Sequence, residues 1–438
     1  MWVVDMQKTL DVADLPAAAE KWPRHCIFRV PPRFRTVHGG VYKPQTVALG
    51  PFHHGDPDLA PMEAHKRRAV ARLLRRAGRT LADLAASVEE VAEDLEDAYA
   101  GLGGEWRGEN RGRFLEMMVA DGCFLLEVMR RRSGDYATAD PVFSRHAVGH
   151  IAPFVQRDML MVENQLPLLL LHRIAAVEGG EASDESSINR EILKFLGVGA
   201  GDARAGPSPT MVVLHPLDLY RRSLFGTLYN HKKEALADPS TVARAAPRSA
   251  QRLWEAGVRF RCRPGVLDDI EFDNGRRRLE MPEVALDDST EYKFHNMMAF
   301  EALHGGGATG NDVTAFVLFM RDMVDSAGDV ALLAREGILW HDLAGGDAAV
   351  AGLFDGLTRD VAKTGESRLC AVRDRVERYC NESWRVFVFE SWAKLRNTYF
   401  TSLWASVALT VSVFLLITDV MQTAYAVMSY ELTKHRHG

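Results

Sequence analysis

The sequence predicts a mainly α protein: a single large helical domain, a small antiparallel β-element at about 258–286, and a C-terminal transmembrane helix. Three observations carry this. Apolar residues recur at three- and four-residue spacing through several long segments. Alternation is clear in one place, where Val258, Phe260 and Cys262 interleave with Arg259, Arg261 and Arg263. Sixteen residues without a charge, Leu403 to Thr418, stand near the end of the chain.

Composition sets the limits. The chain has 438 residues, a formal net charge of −6, 47% apolar and 26% charged residues. These values exclude a wholly disordered, collagen-like or coiled-coil chain. The acidic balance argues against a nucleic-acid partner, which would need a positive face for phosphates. Cys26, Cys123, Cys262, Cys370 and Cys380 are odd in number and widely spaced, with no C-x-x-C. That fits buried reduced thiols, not a disulfide scaffold or zinc module.

The elements follow in order. Cys26 to Val30 has extended character before Pro31-Pro32, and Val47 to His54 reads as a short strand entering a turn. A helix is expected from Pro61 to about Ala77, since proline suits a first helical turn. It is basic, and the next helical stretch, with Glu89, Glu90, Glu93, Asp94, Glu96 and Asp97, is acidic. The two are expected to form a hairpin with facing charges. Phe114 to Arg131 reads as a buried helix. Asp158 to Val177 reads as a second, broken or kinked at Pro167. Gly179 to Ser187 and Gly197 to Pro209 are loops, and an internal boundary is expected near 197–210. His215 to Leu236 returns to helix. Asn274-Gly275 predicts a hairpin turn, because both residues tolerate positive φ. Helices are expected at Glu291–His304, Val313–Ser326 and Val330–Glu336. The domain so defined covers 1–365.

From about Glu366 the chain reads as a membrane-proximal helix over 366–398. Leu369, Val372, Val376, Tyr379, Ser383 and Val386 form one apolar stripe on it. The stripe docks on the domain or, alternatively, pairs two chains into a homo-oligomer through 366–424. A transmembrane segment is expected at 399–430, followed by a short basic tail at 431–438. Sixteen helical residues reach about 24 Å, short of the roughly 30 Å hydrocarbon core, so the helix must continue past Asp419. Asp419 then lies near an interface, where a carboxylate costs less. Met1 to Trp22 lacks the apolar stretch of a signal peptide, so the expected arrangement is a single-pass C-terminal anchor with the domain in the cytosol. The membrane is unspecified, with the plasma membrane favoured.

Chemistry is harder to find. Hydrolase elbows, P-loops, dinucleotide fingerprints and kinase signatures are absent. No catalytic residue and no cofactor is assigned. His53-His54 is the most conspicuous pair. Adjacent residues on a strand point to opposite faces, which disfavours shared metal binding. A metal site drawn from His53, His54, Asp121 and Glu163 is the alternative to a structural role. In that role the histidines serve a tight turn at Gly50-Pro51 and Gly55, and Glu163-Asn164-Gln165 supplies buried backbone with partners.

At these motifs the chain resembles the plant family called domain of unknown function 247. The matching segments include CIFRVPPRFR (26–35), VYKPQTVALGPFHHG (41–55), Met62-Glu63 with Lys66, VADGCFLLEVMR (119–130), RDMLMVENQLPLLLLHRI (157–174) and HPLDLYRRSL (215–224). They continue through AGVRFRCRPGVLDDIEFDNGRRRLEMPEVALDDSTEYKFHNMMAFE (256–301) and DVALLAREGIL (329–339) to the terminal span. His215-Pro216 and Asp419 depart from the family pattern. The resemblance marks Gly50, Pro51, His53, His54, Gly55, Asp121, Gly122, Cys123, Asp158, Glu163, Asn164, Gln165, Pro167 and His215 as structural motif residues.

The resemblance implies a plant protein with one helical domain, a membrane helix and no established enzymatic activity. Some grass members of the family are linked to self-incompatibility, which implies recognition or signalling by protein contact. The expectation is therefore a non-enzymatic membrane protein with an unknown protein partner. Its working surface is expected in loops 179–210 and 304–311. The rival expectation is an unrecognised enzyme or metal protein centred on His53, His54, Asp121 and Glu163.

Overall fold

A computed structural model describes residues 24–131, 133–179, 185–198, 213–225, 248–304, 310–359, 367–382 and 414–423, besides Met6, Val361, Val407, Val411, Ser412 and Tyr425. The described residues are mainly helical. The first half carries α1 (Pro32–His38), α2 (Glu63–Ala77), α3 (Leu81–Glu89), α4 (Ala92–Asp97), α5 (Arg111–Arg130), α6 (Arg145–Asp158), α7 (Leu168–Gly179), α8 (Glu185–Phe195) and α9 (Pro216–Phe225). The second half carries α10 (Ala250–Glu255), β1 (Arg259–Cys262), β2 (Glu271–Asp273), β3 (Arg278–Met281), β4 (Val284–Leu286), α11 (Thr290–Leu303), α12 (Asp312–Met323), α13 (Ala327–Arg335), β5 (Leu339–His341), α14 (Asp347–Leu357) and α15 (Arg368–Glu382).

Two apolar clusters form the core. The first gathers buried residues of α2, α3, α5 and α7, among them Leu73, Leu84, Phe114, Phe124 and Leu170. The second gathers the strands, α11, α12 and α14, with Phe260, Leu279, Phe300, Phe316 and Phe354. The segment 159–166 and α9 lie where the clusters meet. Met159, Leu166 and Leu219 belong to the first cluster, while Leu160, Val162 and Leu217 belong to the second. Leu369, Val372 and Val376 of α15 sit in the second cluster, so the apolar stripe does dock on the domain as far as it is described. Ser383 and Val386 lie outside the described residues.

Several expectations need correction. The β-element is mixed, not antiparallel. β2 and β3 pair antiparallel, but β1 pairs parallel with β3, and β4 pairs parallel with the distant β5. The β2–β3 turn also differs. Its left-handed residue is Arg277, at φ 55°, and Gly275 does not take positive φ. The Asp273 carboxylate accepts the Arg276 N–H at 3.0 Å, which begins the turn at the strand end and leaves four residues between the paired positions.

The expected helix from Asp158 to Val177 is helical only after the break expected at Pro167, and 159–167 is irregular. α6 ends at Asp158 and α7 begins at Leu168, directly after Pro167. Proline lacks the N–H that a continuous helix would need there. The basic helix α2 does not face the acidic stretch. Arg76 pairs with Glu127, Asp135 and Glu178, and Arg68 with Asp140. Among the described residues no helix is long and apolar enough to cross a membrane. Residues 414–423 are helical, with Thr418 bonded to the Leu415 carbonyl; Leu403 lies outside the described residues.

Candidate functional site

The segment 45–50 takes in the start of the strand expected at Val47, yet among the described residues no strand pairs with it. Buried side chains hold it instead. Asp158, at the last residue of α6, accepts the N–H groups of Gln45 at 2.9 Å, Thr46 at 2.6 Å and Val47 at 2.9 Å. Asn164 accepts the Leu49 N–H at 2.7 Å and donates to the Val47 and Asp158 carbonyls, each at 3.0 Å. Asp121, on the buried face of α5, accepts the Gly50 N–H at 2.8 Å. Lys66 donates to the Ala48 carbonyl at 2.7 Å. Every residue from Gln45 to Gly50 thus has a backbone group bonded to a side chain. A backbone group buried without a partner costs about as much as a lost hydrogen bond, so this network stands in for a sheet ladder.

Lys66 is fully buried and stands 2.6 Å from both Asp121 and Glu63. Burial works against its charge, but the two carboxylates prevail and hold the ammonium above its usual range. Burial pushes the Asp121 carboxyl upward despite Lys66. Burial likewise raises Asp158, against its three N–H donors. Gly50 takes φ +79°, and a Cβ there would stand 2.7 Å from Tyr99 Oη and 3.0 Å from the Gln165 carbonyl. Tyr99 donates to that same carbonyl at 2.9 Å. Glycine is required at this position for both its conformation and its lack of a side chain.

The turn after Gly50 separates the two histidines. His53 Nε2 lies 3.2 Å from Glu163 Oε2. His54 instead sets its ring against the edge of Trp106, with centroids 5.3 Å apart. Glu163 also accepts the Val30 N–H and pairs with Arg35. Burial opposes its charge, yet His53, the Val30 N–H and Arg35 hold its carboxyl below the ordinary range. Gln165 donates to the Met159 and Met161 carbonyls at 2.6 and 2.7 Å and accepts the Leu217 N–H at 3.0 Å. Gly55, at φ +84°, closes the turn begun at Pro51.

The remaining motif residues line the same core. A Cβ on Gly122 would meet the Ile174 Cδ1 end of α7, so the two helices approach closely here and Ile174 would have to shift for a larger residue. Cys123 is buried, and burial drives its thiol well above the usual range. His215 donates from Nε2 to the Cys26 carbonyl at 3.1 Å and accepts the Asp218 N–H on Nδ1 at 3.2 Å. Burial pulls its pKa down to about 4, and the bonded neutral tautomer agrees.

The four metal candidates are therefore divided. His53 joins Glu163, Asp121 joins Lys66, and His54 joins Trp106. Among the described residues no group of three or more His, Cys, Asp or Glu side chains could hold a metal ion. Lys66 was not anticipated as a partner. Its signal was its place on the apolar stripe of α2, four residues before Val70 and seven before Leu73. Asn296, which accepts the Val162 N–H and donates to the Val41 carbonyl, each at 2.8 Å, gave no local signal. Most of loop 179–210 and of loop 304–311 lies outside the described residues.

This chain is similar to two curated plant proteins, both of Arabidopsis thaliana. UPF0481 protein At3g47200 is 26% identical, over 94% of this chain and 88% of its own length. Putative UPF0481 protein At3g02645 is 23% identical, over 98% of this chain and 95% of its own length. No solved structure matches the chain. A family model described as a plant protein of unknown function, DUF247, matches residues 27–418, which include the side chains that hold 45–50. The chain belongs to the DUF247 family.

Proposed function

We propose that this chain is a membrane-anchored recognition protein without catalytic activity, held to a bilayer by its apolar C-terminal segment and acting through contact with a protein partner. One observation carries the anchoring. In the helical stretch 414–423, Phe414, Leu415, Leu416, Ile417, Val420 and Met421 are all exposed, Leu416 and Met421 at 67% each. Six of the ten residues are exposed and apolar, against Thr418, Asp419, Gln422 and Thr423, and so large an exposed apolar face belongs in an apolar surrounding. Its ten described residues reach about 15 Å, so the proposed span uses the sequence on both sides, within 399–430. The domain is proposed to face the cytosol. A non-catalytic role draws support from the buried polar network, whose acids and amides are bonded to backbone or to the basic side chains Lys66, Arg35 and His53.

Carbonate extraction of the expressed chain tests the anchor. The expected result is a carbonate-resistant membrane pellet, released when Leu415→Arg and Leu416→Arg are introduced together. Extraction of the unaltered chain by carbonate would refute it. Protease digestion of an N-terminal tag on sealed vesicles then reads the orientation.

A further inference from the structure

We propose that His146 and His150 form a binding site for a divalent late-transition-metal ion, copper(II) foremost. The two histidines lie four residues apart on α6, which puts both on one face of the helix. Both are exposed, while Val148, Ala152 and Val155 turn the opposite side of α6 into the core. Their ring centroids are 4.5 Å apart with the planes at 67°, so the two imidazoles already stand side by side in edge contact. Among divalent ions, copper(II) binds imidazole ligands most tightly.

Two further features favour the site. The helix is fixed before any ion arrives, since Ser144 caps it by accepting the Ala147 N–H at 3.1 Å and its far face is buried. A Cβ on Gly149, beside the pair, would meet nothing within 4 Å, which leaves room for water ligands. No third His, Cys, Asp or Glu among the described residues completes a cluster there. The remaining positions on the ion are open to solvent or to a ligand from outside the chain.

The sequence also ends in His435 and His437, so the experiment uses the full chain carrying H435A and H437A. Copper(II) chloride is titrated in by calorimetry, and the bound ion is examined by electron paramagnetic resonance. The expected result is one micromolar site per chain with coupling to two imidazole nitrogens. H146A or H150A should each weaken binding by about tenfold or more, and zinc should bind more weakly than copper. The melting temperature should stay unchanged, because both side chains are exposed. Undiminished copper binding in the H146A/H150A variant, or binding of zinc tighter than copper, would overturn the proposal.

Discussion

The two halves of the core fix irregular backbone in different ways. In the second cluster, β1, β2 and β3 share a sheet and β4 pairs with β5, so ladder bonds satisfy much of the buried chain. In the first cluster the described residues hold only an isolated bridge between Ile27 and Tyr99. There, Asp121, Asp158, Asn164 and Lys66 do the same work for 45–50. The contrast teaches that buried acids near histidines need not mark chemistry. A segment without a neighbouring strand needs donors and acceptors from side chains, and ionised ones make the stronger bonds. The second half contains one local version of the same device. Glu301 accepts the Val313 and Thr314 N–H groups at 2.9 and 3.0 Å, at the start of α12.

If side chains replace a ladder in the first half, their loss should be costly. The largest effect is expected for Asp121→Ala, which leaves the buried Lys66 ammonium with Glu63 as its one carboxylate partner and takes the acceptor from the Gly50 N–H. Breaking a buried pair on one side costs about 3–5 kcal/mol, to be read by denaturant unfolding. A loss below about 1 kcal/mol would mean that Lys66 finds another partner or water.

Next comes pH. The folded pKa of His215 is about 4, below its ordinary value of 6.5. Its contribution is complete above pH 6.5 and is lost as pH falls toward 4. The change is on the order of 3 kcal/mol and should be absent in His215→Gln. Stability curves of the two proteins that stay parallel across this window would contradict the buried, neutral assignment.

Gly50→Ala should cost about 2–3 kcal/mol, through positive φ and contact with Tyr99 and Gln165. The Gly50→Ala/Tyr99→Phe variant separates these causes, since it removes the nearest atom but not the strain. The smallest effect is expected at the surface. Arg173 and Glu90 pair at 3.0 Å but are well exposed, so Arg173→Ala should change stability by less than about 1 kcal/mol.

Much of the fold was legible in the sequence, for reasons visible at particular residues. The buried helix at 114–131 and the helix after Pro61 follow from periodicity and from proline at a first turn. The hairpin between Phe272 and Leu279 follows from Asn274-Gly275, although Arg277 and not Gly275 takes the positive φ. The parallel pairing of β4 with β5 was not legible, because Val284 and Leu339 are partners far apart in sequence. The same holds for the site. His53, Asp121, Asp158, Glu163 and Asn164 were singled out as buried polar residues. What each one holds depends on contacts more than seventy positions away, such as Asp121 with Gly50 and Asp158 with Gln45. Local pattern marks such residues as unusual without saying what they bond.

Native-state hydrogen exchange across 45–50 tests the central claim most directly. These amides belong to no helix or strand, so an ordinary surface loop here would exchange quickly. If Asp158, Asn164 and Asp121 hold them, Gln45, Thr46, Val47, Leu49 and Gly50 should be protected as strongly as the middle of α5. Asp158→Asn should then release Gln45, Thr46 and Val47 before Gly50. Rapid exchange of these five amides in the unaltered protein would contradict the account.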